Sequence, residues 1–238
     1  MSQAFGATDP GCVRSNNEDR FVVDPTAGFY LVADGMGGAQ AGERASQIAA
    51  ETLVEVVKEE GAEMNAARLA SAFHLANQRV KDTASRDQSL HGMGTTLVAA
   101  LERDGHVMIS SVGDSRAYQL TNGQLTPITE DQTWVQDIGR RLGLTEENLR
   151  THPMRHVLTM AIGVSQELKV NSYSVPASVG TVILLCSDGL HGVVAEKDIA
   201  HILAGPEPLD LRGKQLIEAA RALGAPDNVT VVLLEPAR

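Results

Sequence analysis

The spacing of apolar residues divides the chain into strands and helices. Positions 29–33, Phe-Tyr-Leu-Val-Ala, form an unbroken run with the length and aromatic or β-branched character of a buried strand. The shorter run Phe21-Val22-Val23 precedes it, and Asp24-Pro25-Thr26-Ala27-Gly28 reads as the turn that joins the two as a hairpin. Beyond residue 40 the period changes. Ala45, Ile48, Ala49, Thr52, Leu53, Val56 and Val57 recur at i, i+3, i+4, with Glu51, Glu55, Lys58 and Glu59 opposite, which predicts an amphipathic helix ending at Gly61. Leu69, Ala72, Phe73, Ala76 and Val80 predict a second helix returning antiparallel to the first. From Gly94 the strand period resumes over residues 95–101, 107–112 and 117–120, with Arg103-Asp104-Gly105 and Thr121-Asn122-Gly123 as hairpin turns. Residues 129–153 are less regular, with a helix predicted at 133–141 and a short one at 146–149. A strand at 182–186, helices at 195–203 and 211–223, and a last strand at 229–234 complete the reading.

Carboxylates stand at the ends of these strands. Asp34 follows the run 29–33 and leads into Gly35, Met36, Gly37 and Gly38. Taken alone, an Asp-Gly pair at a strand end is most simply a solvated turn. A phosphate cradle is a second reading, but the Lys-Ser/Thr of a nucleotide loop is missing and the dinucleotide spacing is not met. Repetition changes the balance. Asp114 follows the strand 107–112, and Asp188, again before Gly, follows the strand 182–186. Asp227 precedes its strand, so in an antiparallel neighbour it reaches the same sheet edge as Asp34 and Asp188. Glu18 and Asp19 stand just before the first hairpin. So many carboxylates stay ionised together only around a cation. Oxygen-only ligation suits Mg²⁺ or Mn²⁺ better than zinc. Two such ions about 4 Å apart activate a shared water and stabilise in-line displacement at phosphorus, so hydrolysis of a phosphate ester is the expected output. Arg14, close to the acidic pair, is the candidate to neutralise the substrate phosphate through its planar fork of donors.

Composition narrows the alternatives. The 238 residues are 43% hydrophobic and carry no linker, charge block or repeat, so a single domain over residues 1–238 is expected. Thirty acidic against twenty basic residues give a net charge of -10, which disfavours nucleic-acid binding through phosphate neutralisation. Cys12 and Cys186 have no CxxC partner and read as reduced thiols, Cys186 as a small buried hydrophobe. With no leader pattern and no segment of membrane-span length, a cytoplasmic protein without a membrane partner is expected. His74 is read as structural and Trp134 as packing beneath a loop. Arg140, Arg141, Arg150 and Arg155 are either solvated or in contact with an anionic substrate, and the pattern does not choose among them.

At these residues the sequence resembles the metal-dependent Ser/Thr protein phosphatases of the 2C type in their compact bacterial form. The likeness spans nearly the whole chain: N-N-E-D-R from Asn16, D-G-M-G-G from Asp34, G-T-T from Gly94, V-G-D-S-R from Val112, C-S-D-G-L from Cys186 and D-N-V-T from Asp227. The resemblance implies an α+β fold, a four-layer α/β/β/α sandwich of two antiparallel sheets flanked by helix pairs. It implies two Mn²⁺ or Mg²⁺ ions, with Asp34 bridging both, the Gly35 carbonyl on one, and Asp188 and Asp227 completing the other. Asp19 and Glu18 would then act through water, Asp114 would join Asp188 at a third, weaker metal position, and residues of about 133–156 would form a substrate-adjacent flap. The implied substrates are phosphorylated proteins, those of a Ser/Thr kinase, and a monomer is expected. In one respect the chain departs from many eukaryotic members. They carry His after Asp-Gly, able to protonate the leaving alkoxide, whereas this chain has Met36, so a water held at the third position is the expected donor. Two alternatives accompany this reading: a catalytically silent phosphoprotein-binding module, and a phosphatase for small phosphate esters.

Overall fold

The computed structural model describes residues 2–38 and 40–236, leaving the side chains of Glu146 and Arg150 outside the description. Strands β1 (Gln3–Asp9), β12 (Val229–Glu235), β11 (Val182–Cys186), β8 (Arg116–Thr121) and β9 (Gln124–Pro127) form one antiparallel sheet in that order. The second consists of β10 (Asn171–Pro176), β7 (His106–Val112), β6 (Leu97–Arg103), β3 (Phe29–Ala33) and β2 (Arg20–Asp24). A two-stranded ribbon of β4 (Gly35–Met36) and β5 (Gly94–Thr95) lies beside the second sheet's end.

Alternation along the strands builds three cores. Phe29, Leu31 and Ala33 of β3 pack beneath α1 (Ala41–Glu60) and α2 (Ala66–Arg86), while Tyr30 and Val32 face the other sheet. In β11, Val182, Leu184 and Cys186 face the helical side formed by α4 (Asp188–His191), α5 (Glu196–Leu203) and α6 (Leu209–Ala222), whereas Ile183 and Leu185 point between the sheets. Both faces of the central strands are covered, which explains why their sequences are apolar without interruption. The result is the expected α/β/β/α sandwich. The turns carry the backbone their residues favour: Asp104 and Gly105, and Asn122 and Gly123, all have positive φ, as two-residue hairpin turns with the strands' twist require.

Within the two large sheets three strands go beyond the sequence reading: β1, β9 and β10. Each is a sheet edge, and their mixed polar and apolar residues are only partly covered. The strand expected at 95–101 is divided at Thr96, whose N–H turns aside to the Asp34 carbonyl at 2.8 Å. The helix expected at 133–141 is a wide turn over Val135–Gly139, followed by α3 (Glu146–Thr151). His74 is exposed on the outer face of α2. Trp134 is half-buried and stacks on His152 with ring centroids 4.5 Å apart, as expected of an aromatic beneath a loop. Among the described residues no helix is long and apolar enough to cross a membrane.

Candidate active site

Antiparallel pairing decides where the carboxylates go. Asp34 leaves the end of β3, and Asp19 precedes β2, whose Arg20 pairs with Ala33, so both stand at the same edge. Strands β3 and β7 both run antiparallel to β6, which brings Asp114, beyond β7, to that edge too. In the facing sheet Cys186 pairs with Val231, placing Asp188 after β11 next to Asp227 before β12. A cavity of about 790 Å³ opens there, lined by Arg14, Glu18, Asp34, Gly35, Asp114, Asp188 and Asp227 among others.

Each group is held by its backbone. The Asp34 carbonyl accepts from Thr95 Oγ1 at 2.8 Å as well as from the Thr96 N–H. Thr96 Oγ1 is 2.7 Å from Ser115 Oγ, tying the Asp34 corner to the Asp114 loop. Gly35 is required by space, since an added Cβ would strike the carbonyl oxygens of Gly42 and Glu18. Asp188 opens α4, and an added Cβ at Gly189 would strike the Asn228 carbonyl oxygen. Asp227 Oδ2 accepts from Arg14 Nη2 at 2.8 Å, and both residues line the cavity. Asp19 lies behind the lining and is nearly inaccessible. Its Oδ2 accepts from Ser187 Oγ at 2.9 Å and Thr230 Oγ1 at 2.6 Å, while its Oδ1 has no hydrogen-bond partner among the described residues.

Burial and mutual repulsion push these acids upward. Burial raises the Asp34 carboxyl well above the ordinary range, and Asp19, Asp188, Asp114 and Asp227 add to the push. Asp19 rises to about 7, chiefly through burial, against the opposing hydrogen bonds from Thr230 and Ser187. Asp114 rises to about 8 through burial and then Asp188 and Asp131. Asp188 is raised by burial and then by Asp227.

Do these residues suit Mn²⁺ or Mg²⁺? Among the described residues, no three His, Cys, Asp or Glu groups close on one point as a finished cage. Asp227 is engaged by Arg14. Small hard cations do not need such a cage, because they keep several waters and take one or two carboxylates from the protein. The donors are oxygen throughout, the buried Asp19 Oδ1 is unsatisfied, and each acid's ionisation is opposed by its neighbours. Divalent cations relieve all of these at once, so the donor set fits.

The family model for protein phosphatase 2C matches residues 13–205. The chain belongs to the protein phosphatase 2C family. It is 36% identical over 235 residues to the serine/threonine phosphatase stp of Listeria monocytogenes, covering 96% of this chain and 93% of that one. The crystal structure of the Mycobacterium tuberculosis serine/threonine phosphatase PstP/Ppp superposes with a TM-score of 0.91 at 36% identity, covering 100% of this chain and 99% of the other. The catalytic domain of PstP in complex with 2 manganese ions gives a TM-score of 0.89 at 34% identity, again covering 100% and 99%.

Sequence reasoning missed several members of this 2C-family site. Asn228, beside Asp227, accepts from the Glu18 N–H at 2.8 Å and donates to the carbonyls of Pro10 at 3.0 Å and Asn16 at 2.9 Å. It thereby fixes the loop that carries Arg14 and Glu18. Ser187 and Thr230 stood in the motifs, but their grip on Asp19 needed the pairing of β11 with β12 to be seen. His156 lines the cavity from a distant, irregular segment with no spacing signal. Of the four arginines left open, Arg155 lines the cavity and Arg140 and Arg141 line separate hollows. The Arg150 side chain lies outside the described residues.

Proposed function

We propose that this phosphatase hydrolyses phosphoserine and phosphothreonine in proteins, at the cavity where Asp34, Asp188 and Asp227 meet Arg14, with Mn²⁺ or Mg²⁺ as cofactor. The observation that carries this is the convergence of carboxylates from both sheets on one edge, beside an arginine paired with one of them. Asp34, the Gly35 carbonyl, Asp188 and Asp227 would hold two ions, Glu18 and Asp19 would act through water, and Asp114 with Asp188 would offer a third, weaker position. When bound, such ions supply Lewis acidity, making water a competent nucleophile at neutral pH and neutralising charge on the phosphoryl oxygens. Arg14 contributes paired N–H donors to those oxygens and is oriented for this by Asp227. Asp19, braced by Ser187 and Thr230, holds a fixed acceptor behind the ligands. The retention of every one of these groups weighs against a silent binding module. The pairing of β1 with β12, joining the two ends of the described chain, supports a single catalytic domain. Its substrates would be the products of a Ser/Thr kinase.

The test is phosphate release from a phosphoserine peptide by the full chain with Mn²⁺, with chelator, and in Asp34→Asn. We expect turnover only in the first. Manganese binding measured by calorimetry without metal-dependent turnover on any phosphopeptide would refute the enzymatic reading.

A further inference from the structure

The cavity lacks a proton donor where Met36 stands, and a seryl oxygen leaves poorly without a proton. Among the described residues that line it, the carboxylates are committed to cations in the reading above, and Arg14 and Arg155 hold their protons too tightly to transfer them. His156 is the one imidazole in that lining, and imidazole is the side chain suited to proton transfer near neutrality. Its position is built rather than incidental. Trp134 N–H donates to the Val157 carbonyl at 2.8 Å, Leu158 bridges to Thr133, and Thr159 N–H donates to the Gln132 carbonyl at 2.9 Å. Gln132 in turn donates its N–H to the Gly113 carbonyl and accepts the Gly113 N–H on Oε1, both at 2.9 Å. The segment holding His156 is therefore registered, through Gln132, to the loop of Asp114.

We propose that His156 is the general acid for the leaving group, in place of the third-position water expected from sequence. The proposal rests on the phosphatase reading above. As water oxygen bonds to phosphorus and the P–Oγ bond breaks, the electron pair goes to the seryl Oγ. The imidazolium N–H proton passes to Oγ, giving serine and inorganic phosphate. The proton lost by the attacking water returns to His156 through solvent, so the cycle closes without another reactant.

The experiment compares the full-length protein with His156→Gln and His156→Asn, each with Mn²⁺, on a phosphoserine peptide and on 4-nitrophenyl phosphate, whose phenolate leaves without a proton. Because the side chain is exposed, both variants should retain the parent's unfolding temperature. The expected result is a loss of about 10²-fold in kcat on the peptide with KM little changed, and a loss of no more than about 3-fold on the aryl ester. Equal losses on both substrates would assign His156 to phosphate binding and overturn the proposal. No loss on the peptide would return proton donation to water near Asp114 and overturn it equally. A parent protein inactive on both substrates with Mn²⁺ would instead overturn the phosphatase reading, and this proposal with it.

Discussion

Replacing Asn228 with alanine tests whether the active-site loop is positioned by one buried amide. The side chain is 5% exposed and makes three hydrogen bonds, from the Glu18 N–H and to the Pro10 and Asn16 carbonyls. Truncation leaves one donor and two acceptors without partners. Each unmet buried group costs roughly 1–3 kcal/mol, but the two carbonyls lie toward a surface loop and regain water, so a total of about 3 kcal/mol is expected. For a chain of this size that corresponds to a fall in Tm of roughly 6–12 °C. Urea unfolding should show the loss as a shifted midpoint with an unchanged slope. Catalysis should suffer beyond stability, because Glu18 and Arg14 ride on the released loop, and kcat/KM should fall at temperatures where the variant is fully folded. Asn228→Asp keeps the acceptor for the Glu18 N–H and, when protonated at low pH, one donor in place of two, so its stability should be intermediate there. Its added charge beside Asp227 should hold activity down. A stability loss below about 0.5 kcal/mol, the range of an ordinary surface substitution, would refute the latch.

Three further outcomes follow from the same geometry. Arg14→Ala should separate stability from function: the pair with Asp227 is half exposed, at 51% and 37%, so unfolding should shift by less than about 1 kcal/mol, whereas kcat/KM on a phosphopeptide should drop by about 10²-fold. Metal-free protein should lose stability as pH rises. Asp19 and Asp114 are raised to about 7 and about 8, so the stability they contribute is complete below the unfolded carboxylate range near pH 4 and is lost as pH climbs through 7 to 8. Thermal unfolding between pH 5 and pH 8, with and without Mn²⁺, checks this, and metal should lessen or reverse the trend. Gly189→Ala should destabilise by roughly 1–3 kcal/mol and displace Asp188, because the added methyl meets the Asn228 carbonyl, although helix propensity alone favours alanine by about 1 kcal/mol. Chemical denaturation decides the sign.

Much of the sandwich was legible because its central strands are buried on both faces and its first helix pair on one, which leaves strong periodic signals at positions 29–33, 182–186 and 45–57. The missed strands are edges. There the pattern is diluted: β10, Asn-Ser-Tyr-Ser-Val-Pro, places its residues on surfaces covered only in part, and β1 carries Gly6, whose missing side chain makes room for Phe21 and Val23. The candidate ligands were legible for another reason. An aspartate between an apolar strand and a glycine is conspicuous at Asp34 and Asp188, and with Asp114 and Asp227 also beside strand termini the four imply a common edge once pairing is antiparallel. Asn228 and His156 were not, because their roles depend on contacts spanning 210 residues in one case and on the path of an irregular segment in the other.

The acids and the fold stand in opposition at this edge, and the opposition explains how the polar residues around them are used. Packing alone would not bring Asp19, Asp34, Asp114 and Asp188 together, since burial raises every one of them and each repels the rest. The restraining groups are all tied to backbone that the sheets fix: where β11 meets β12 the Ser187 N–H donates to the Thr230 carbonyl and the Thr230 N–H to Ser187 Oγ, and the Thr96 N–H donates to the Asp34 carbonyl. Neutralising a single acid should therefore stabilise the metal-free chain while weakening its grip on cations. Asp34→Asn is the sharpest case, because it removes a charge that its neighbours oppose and leaves the backbone bonds of Thr95 and Thr96 in place. At pH 8 without metal it should melt above the parent, and with saturating Mn²⁺ the order should invert. If the variant melts below the parent under metal-free conditions, the repulsion inferred here is not what the fold must overcome at this edge.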